Sequence, residues 1–243
     1  MQVFGISDIG LKRKSNQDVF YYVVNKFNEC FAFVCDGMGG QNGGDIASRI
    51  VFDVFSKNIS KILDGEKKEE EIKSLILNFY EKANREIYQK SYEKEELKGM
   101  GTTCTTVFVK KKKIFIFSVG DSRLYIKKDD FLKQQTVDHS YVQTLVDCGK
   151  ITKEEAKFHP RKNEITKAVG ILKEINVDFK EVEIFDGSDI LLCTDGLTNS
   201  CSDLEINRIL NKDCEIEYIA KELINLSKFN GGQDNVTVVL IRA

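Results

Sequence analysis

Four times in this chain an apolar run begins or ends at an aspartate flanked by glycine. Phe31-Ala32-Phe33-Val34-Cys35 runs into Asp36-Gly37-Met38-Gly39-Gly40, and Ile190-Leu191-Leu192-Cys193-Thr194 runs into Asp195-Gly196. Ile116-Phe117-Ser118-Val119 runs into Gly120-Asp121-Ser122-Arg123, and Gly231-Gly232-Gln233-Asp234-Asn235 opens the run that starts at Val236. One Asp beside Gly reads as a turn, because both residues tolerate unusual backbone angles. Four at strand ends are harder to dismiss. Sheet ends can gather carboxylates in one place, and gathered carboxylates repel unless protons or cations neutralise them. With two histidines and no C-x-x-C pair in the chain, the fitting cation is a hard, oxygen-liganded one, Mg²⁺ or Mn²⁺, rather than Zn²⁺.

Oxygen-bound divalent cations serve phosphoryl chemistry, and its other versions leave residue patterns that are missing here. No G-x-x-x-x-G-K-[ST] phosphate loop occurs; Gly149-Lys150 is followed by Ile151. No Cys has an Arg six positions later, no D-x-D exists, and two histidines are too few for a binuclear site built on imidazoles.

The elements that must position these aspartates follow from apolar spacing. Strand-like runs rich in Val, Ile, Phe, Tyr and Thr are 19–24, 31–35, 103–109, 114–119, 123–126, 177–185, 190–193 and 236–241. Helical i, i+3, i+4 spacing covers Ile46–Leu63 and Ile72–Ile87, then about 204–210 and 216–226. Strands, two helices, strands, short helices, strands, two helices and a last strand is not the alternation of a parallel sheet. The expectation is a mainly antiparallel sheet structure with helices packed outside. Lys110-Lys111-Lys112-Lys113 reads as a solvated hairpin turn blunting a sheet edge rather than a phosphate-reading patch.

At 243 residues, with 42% hydrophobic and 30% charged side chains, the chain can bury a real core and is too apolar for disorder. A net charge of −2 argues against a nucleic-acid surface. One proline excludes a Pro-rich linker, so residues 1–243 read as one domain, with 140–168 a polar insertion over its body. An odd count of seven cysteines points to free thiols in a reducing compartment. With no secretory pattern and no apolar stretch near the ~18 residues of a spanning helix, the expectation is a cytoplasmic protein without membrane insertion.

Taken in order, Ser7-Asp8-Ile9-Gly10-Leu11-Lys12-Arg13-Lys14-Ser15-Asn16-Gln17-Asp18, Asp36-Gly37-Met38-Gly39-Gly40, Gly101-Thr102-Thr103, Gly120-Asp121-Ser122-Arg123, Asp138-His139-Ser140, Thr194-Asp195-Gly196-Leu197 and Gly232-Gln233-Asp234-Asn235 resemble the metal-dependent, type 2C serine/threonine protein phosphatases in their compact bacterial form. The resemblance spans about residues 3–241 and keeps both spacing and order. It implies an α+β fold, a four-layer α-β-β-α sandwich of two mainly antiparallel sheets flanked by helix pairs, with 140–168 as a flap. It implies hydrolysis of phosphoserine and phosphothreonine by a metal-bridged hydroxide, with two and in some members three Mn²⁺ or Mg²⁺ ions. Asp36, Asp195 and Asp234 would hold one metal; Asp36 and the Gly37 carbonyl would hold the second, with Asp18 reached through water. Asp121 with Asp195 matches an additional site, and Arg13 the arginine that grips the substrate phosphate. The implied partners are phosphorylated proteins, including a cognate serine/threonine kinase, and monomer is the default state.

Plainer readings stand beside these. Arg13 lies in a basic Lys12-Arg13-Lys14 turn, Asp18 could cap a turn before its strand, and Asp121 could pair with Arg123. His139 reads as a hydrogen-bonding structural residue. Departures from the family pattern are Met38 and Gln41, where relatives carry His, together with Lys162 and Lys167 in the insertion. Met38 and Gln41 leave the general acid unassigned, while Lys162 and Lys167 bear on flap contacts and substrate preference. A catalytically silent binding module and a hydrolase of small phosphoesters are the competing functions.

Overall fold

The computed structural model describes residues 1–243 apart from the side chains of residues 40–42, so Gln41 lies outside the described residues. In chain order the strands and helices are β1 (Gln2–Asp8), β2 (Asp18–Val24), β3 (Cys30–Met38), α1 (Gly40–Asn58) and α2 (Glu69–Lys90). Then come β4 (Gly101–Thr102), β5 (Cys104–Lys110), β6 (Lys113–Val119), β7 (Arg123–Lys128), β8 (Phe131–Gln134), α3 (Tyr141–Asp147) and α4 (Lys153–Phe158). The chain closes with β9 (Asp178–Glu183), β10 (Asp189–Cys193), α5 (Asp195–Thr198), α6 (Asp203–Leu210), α7 (Ile216–Phe229) and β11 (Val236–Arg242).

One sheet has the order β1-β11-β10-β7-β8; the other runs β2-β3-β5-β6-β9, with β4 paired to β3. Every pairing between neighbours is antiparallel. Strand β3 shows why the two sheets stack. Successive side chains of a strand point to opposite faces, and here both faces are apolar. Phe31, Phe33 and Cys35 pack with Val51 and Phe55 of α1 and Ile76 and Tyr80 of α2. Ala32 and Val34 face the other way, into a core shared with Leu124, Ile190, Leu192 and Val239 of the first sheet. Strand β11 alternates likewise, placing Val236, Val238 and Leu240 against Ile219 and Leu223 of α7. The result is helices, sheet, sheet, helices, the α-β-β-α layering that the resemblance implies.

Three differences from the sequence reading have local causes. Strand β1 was not anticipated, because Gly5 interrupts its apolar run; a Cβ at Gly5 would meet the Phe20 ring at 2.5 Å. Helices α3 and α4 are the short helices expected between the 123–126 and 177–185 runs, but they bury no residue, so no apolar period marks their bounds. The four-lysine turn joins β5 and β6, interior strands rather than an edge. Its tip, Lys111 and Lys112, is exposed as expected, while its flanks are held by ion pairs: Lys110 to Glu29 at 2.9 Å, and Lys113 to Glu69 and Glu181, each at 2.9 Å. Among the described residues no helix is long and apolar enough to cross a membrane.

The turn from β10 into α5 is pressed onto β11. A Cβ at Gly196 would collide with the carbonyl oxygen of Asn235. Backbone on both sides cannot step aside cheaply, so Gly196→Ala is expected to destabilise by about 1–3 kcal/mol. A thermal melt unchanged from wild type would contradict this packing.

Candidate metal centre

The sandwich brings its aspartates together at one end. Asp18 opens β2 and stands opposite Asp36 in the β2–β3 register. Asp121 follows β6, Asp195 opens α5, and Asp234 lies in the turn before β11. A cavity of about 1130 Å³ is lined by Arg13, Asp36, Gly37, Met38, Asp121, Asp195 and Asp234, with Lys12, Lys14, Thr103 and residues 163–165 around them. Asp18 is buried behind Asp36, where its Oδ2 accepts from the hydroxyls of Thr194 at 2.8 Å and Thr237 at 2.7 Å. Thr237 is in β11 of the first sheet and Thr194 directly follows its β10, so Asp18 pins the two sheets together at the site rather than capping a turn.

The backbone beneath the carboxylates is fixed by short polar contacts. Asp36 N–H donates to Thr103 Oγ1 at 2.8 Å, and the Asp36 carbonyl accepts from Thr102 Oγ1 at 2.9 Å and Thr103 N–H at 2.8 Å. Gly101-Thr102-Thr103 therefore serves Asp36. At Gly37 a Cβ would strike the carbonyl of Gly44 and that of Gln17, so only glycine lets three backbone segments close at this point. Asn235 does the same for the loop that carries Arg13. Its Oδ1 accepts from Gln17 N–H at 2.9 Å, and its Nδ2 donates to the carbonyls of Ile9 and Ser15, each at 3.0 Å.

Arg13 Nη2 donates to Asp234 Oδ2 at 2.6 Å, which raises the guanidinium further above its ordinary pKa. Its side chain remains 54% exposed, so the fork lies at the rim of the cavity with its charge turned inward. It is not a merely solvated basic turn. Arg123 grips Asp138 at 2.7 Å, which removes the pairing of Arg123 with Asp121 weighed above.

The carboxylates are strained electrostatically. Burial, then Asp18, Asp195 and Asp121, push Asp36 well above the usual carboxylate range. Burial and Asp195 do the same to Asp121, and burial and Asp234 raise Asp195. Asp18 rises from 3.8 to about 7, chiefly by burial, with the two threonine hydroxyls opposing. A carboxyl whose pKa is raised on folding binds more protons folded than unfolded, so its contribution to stability falls as pH rises between the two values. In EDTA, Asp18→Asn should therefore gain melting temperature relative to wild type as pH goes from about 4 to about 7. A gap that stays flat across that window would contradict the shift.

Two of these oxygens, Asp18 Oδ1 and Asp195 Oδ1, are buried without a hydrogen-bond partner. Orphaned anionic oxygens inside a cluster of like charges are what a hard cation would satisfy, and the donor set is all oxygen. The residues fit a divalent ion. They do not form a closed cage: among the described residues no three His, Cys, Asp or Glu side chains converge as one metal-ligand group. The reason lies partly in Asp234, whose Oδ2 is turned to Arg13 and whose Oδ1 accepts from Asn235 N–H at 2.8 Å.

A family model for protein phosphatase 2C matches residues 12–222. The chain belongs to this family. The serine/threonine phosphatase stp of Listeria monocytogenes is 35% identical over 238 residues, which cover 97% of this chain and 93% of that protein. The solved serine/threonine phosphatase of S. agalactiae superposes with a TM-score of 0.91 at 34% identity, covering 100% of this phosphatase and 99% of that chain. The catalytic domain of the serine threonine protein phosphatase PstP, solved in complex with two manganese ions, is 33% identical with a TM-score of 0.84, covering 98% and 96%.

Sequence reading missed the residues that hold the site from behind. Thr194 and Thr237 lie 176 and 219 positions from Asp18, and nothing local ties either to it. Asn235, Lys12 and Lys14 stand in the quoted motifs without a role of their own, and they line the cavity together with residues 163–165 of the insertion.

Proposed function

We propose that this phosphatase removes phosphoryl groups from phosphoserine and phosphothreonine of proteins, using Mn²⁺ or Mg²⁺ held by the aspartate cluster. The observation that carries the reading is the group of raised, partly orphaned carboxylates facing one open cavity beside an arginine. Asp36, Asp195 and Asp234 would hold one ion. Asp36 and the Gly37 carbonyl would hold a second, with Asp18 one water away, and Asp121 with Asp195 a third. When bound, the ions supply an activated water and neutralise charge on the phosphate.

The chain's own residues do the rest. Asp36, at the centre of the cluster, offers two oxygens and can serve two ions at once. Thr102 and Thr103 fix its backbone, and Thr194 and Thr237 fix Asp18 behind it. Arg13 presents a planar fork of donors at the cavity rim, which suits the oxygens of a tetrahedral phosphate and the charge they gain during attack. Met38 has no proton to give, so the leaving serine or threonine oxygen takes its proton from solvent in the open cavity.

Residues 1–243 act as one catalytic unit with 140–168 as its flap, cytoplasmic and monomeric, opposing a serine/threonine kinase of the same cell. The enzymatic test is hydrolysis of a phosphothreonine peptide with Mn²⁺ and then with EDTA. Turnover with the metal and its loss on chelation are expected. Activity that survives chelation sinks the reading, and so does selective action on small phosphoesters alone. Deleting the protein should raise phosphothreonine on the kinase; unchanged phosphorylation counts against the pairing.

A further inference from the structure

His139 makes contacts that the proposed chemistry leaves unused. It precedes the 140–168 insertion, and its backbone and ring both hold Gly120, the residue before Asp121. His139 N–H donates to the Gly120 carbonyl at 3.0 Å, and Gly120 N–H donates to His139 Nδ1, also at 3.0 Å. A backbone N–H can only donate, so Nδ1 carries no proton and the ring is neutral with its proton on Nε2. Burial, then Lys167, hold the ring below its ordinary pKa, in keeping with that state.

The other side of the ring is held as firmly. Nε2 stands 3.2 Å from Asp178 Oδ2, and Lys167 Nζ lies 3.1 Å from Nε2 and 2.9 Å from Asp178 Oδ1. Lys167 sits at the far end of the insertion, and Thr166 N–H donates to the His139 carbonyl at 2.7 Å. The Ser140–Ile165 bridge closes the same neck. Gly120 has little room to adjust: its φ is +104°, and a Cβ there would meet Thr103 at 2.6 Å. The base of the insertion and the Asp121 turn are thus one hydrogen-bonded unit with His139 at its centre.

We propose that His139 is the positioning residue for Asp121, its ring clamping Gly120 while Asp178, itself held by Lys167, fixes the ring plane, so that the neck of the insertion sets where the Asp121 carboxylate stands. The proposal rests on the reading of Asp121 as a metal ligand. It gives the cavity a side chain that touches neither substrate nor ion and yet tunes ion binding at the edge of the cluster, as outer hydrogen-bond partners do in metal sites.

The test compares His139→Asn, whose Oδ1 can take the place of Nδ1, with His139→Gln, whose amide reaches toward Asp178 and leaves Gly120 N–H without its acceptor. Amide exchange at Gly120 in metal-free protein, Mn²⁺ calorimetry and phosphopeptide kinetics are read for both. His139→Gln should expose the Gly120 amide and weaken the weakest Mn²⁺ step by about 10-fold. Its kcat should fall at limiting Mn²⁺ and recover with excess Mn²⁺, with the peptide KM unchanged, while His139→Asn stays near wild type. Equal behaviour of the two variants overturns the proposal, as does Gly120 exposure without any change in the Mn²⁺ titration. Asp121→Asn in the same titration separates the two layers. If Asp121→Asn leaves Mn²⁺ binding intact, the ligand reading falls and takes the proposal with it. If Asp121→Asn weakens binding and His139→Gln does not, only the positioning role falls.

Discussion

Asp36→Asn is expected to lower kcat on a phosphothreonine peptide by about 10³-fold at saturating Mn²⁺. The substitution keeps the shape of the side chain and removes the charge at the centre of the cluster. Asp36 is the carboxylate pressed by most of its neighbours, Asp18, Asp195 and Asp121, and it is the one proposed to touch two ions. Losing metal-borne stabilisation of the transition state of about 4 kcal/mol corresponds to that factor. Misfolding would not account for the loss. In EDTA the variant sheds a repelling charge, so its melting temperature should equal or exceed that of wild type. Activity within tenfold of wild type would remove Asp36 from the centre of the mechanism.

Arg13→Ala is expected to reduce kcat/KM by about 10²-fold, the effect of deleting a donor aimed at developing negative charge. The Arg13–Asp234 pair is half exposed on the arginine side, so it contributes at most about 1 kcal/mol to stability. The melting curve should barely move. Arg13→Lys restores charge but not the planar fork, and should recover only part of the loss. Steady-state kinetics on one phosphopeptide for the three proteins decide the matter. Full activity of Arg13→Ala would leave the basic turn as the solvated feature that composition alone would make it.

The aspartates were legible because each sits where an apolar strand gives way to glycine, and that junction is local. Antiparallel sheet with helices outside was legible for a similar reason, since α1, α2 and α7 keep a helical stripe. The four-layer stacking came from the family resemblance; its physical basis is that β3 and β11 are apolar on both faces. What escaped reading is non-local or unburied. Asp18 depends on hydroxyls from Thr194 and Thr237 in the other sheet, and the loop of Arg13 hangs on Asn235, 222 positions away in the chain. Such contacts exist only once the sheets have stacked. The bounds of helices α3 and α4 escaped because nothing in them is buried, so no core imprints a period on their sequence. Strand β1 escaped because Gly5 answers to the Phe20 ring on a neighbouring strand, which weakens its own local pattern.

The Asp36 cluster is expected to bind catalytic divalent ions. A crystal grown with Mn²⁺ and measured at the manganese edge tests it most directly. Two anomalous peaks flanking the Asp36 carboxylate, within reach of Asp195 and the Gly37 carbonyl, are the predicted result, and both should vanish in Asp36→Asn. A map with no anomalous peak at Asp36, from crystals in which the protein is active with Mn²⁺, would contradict the account.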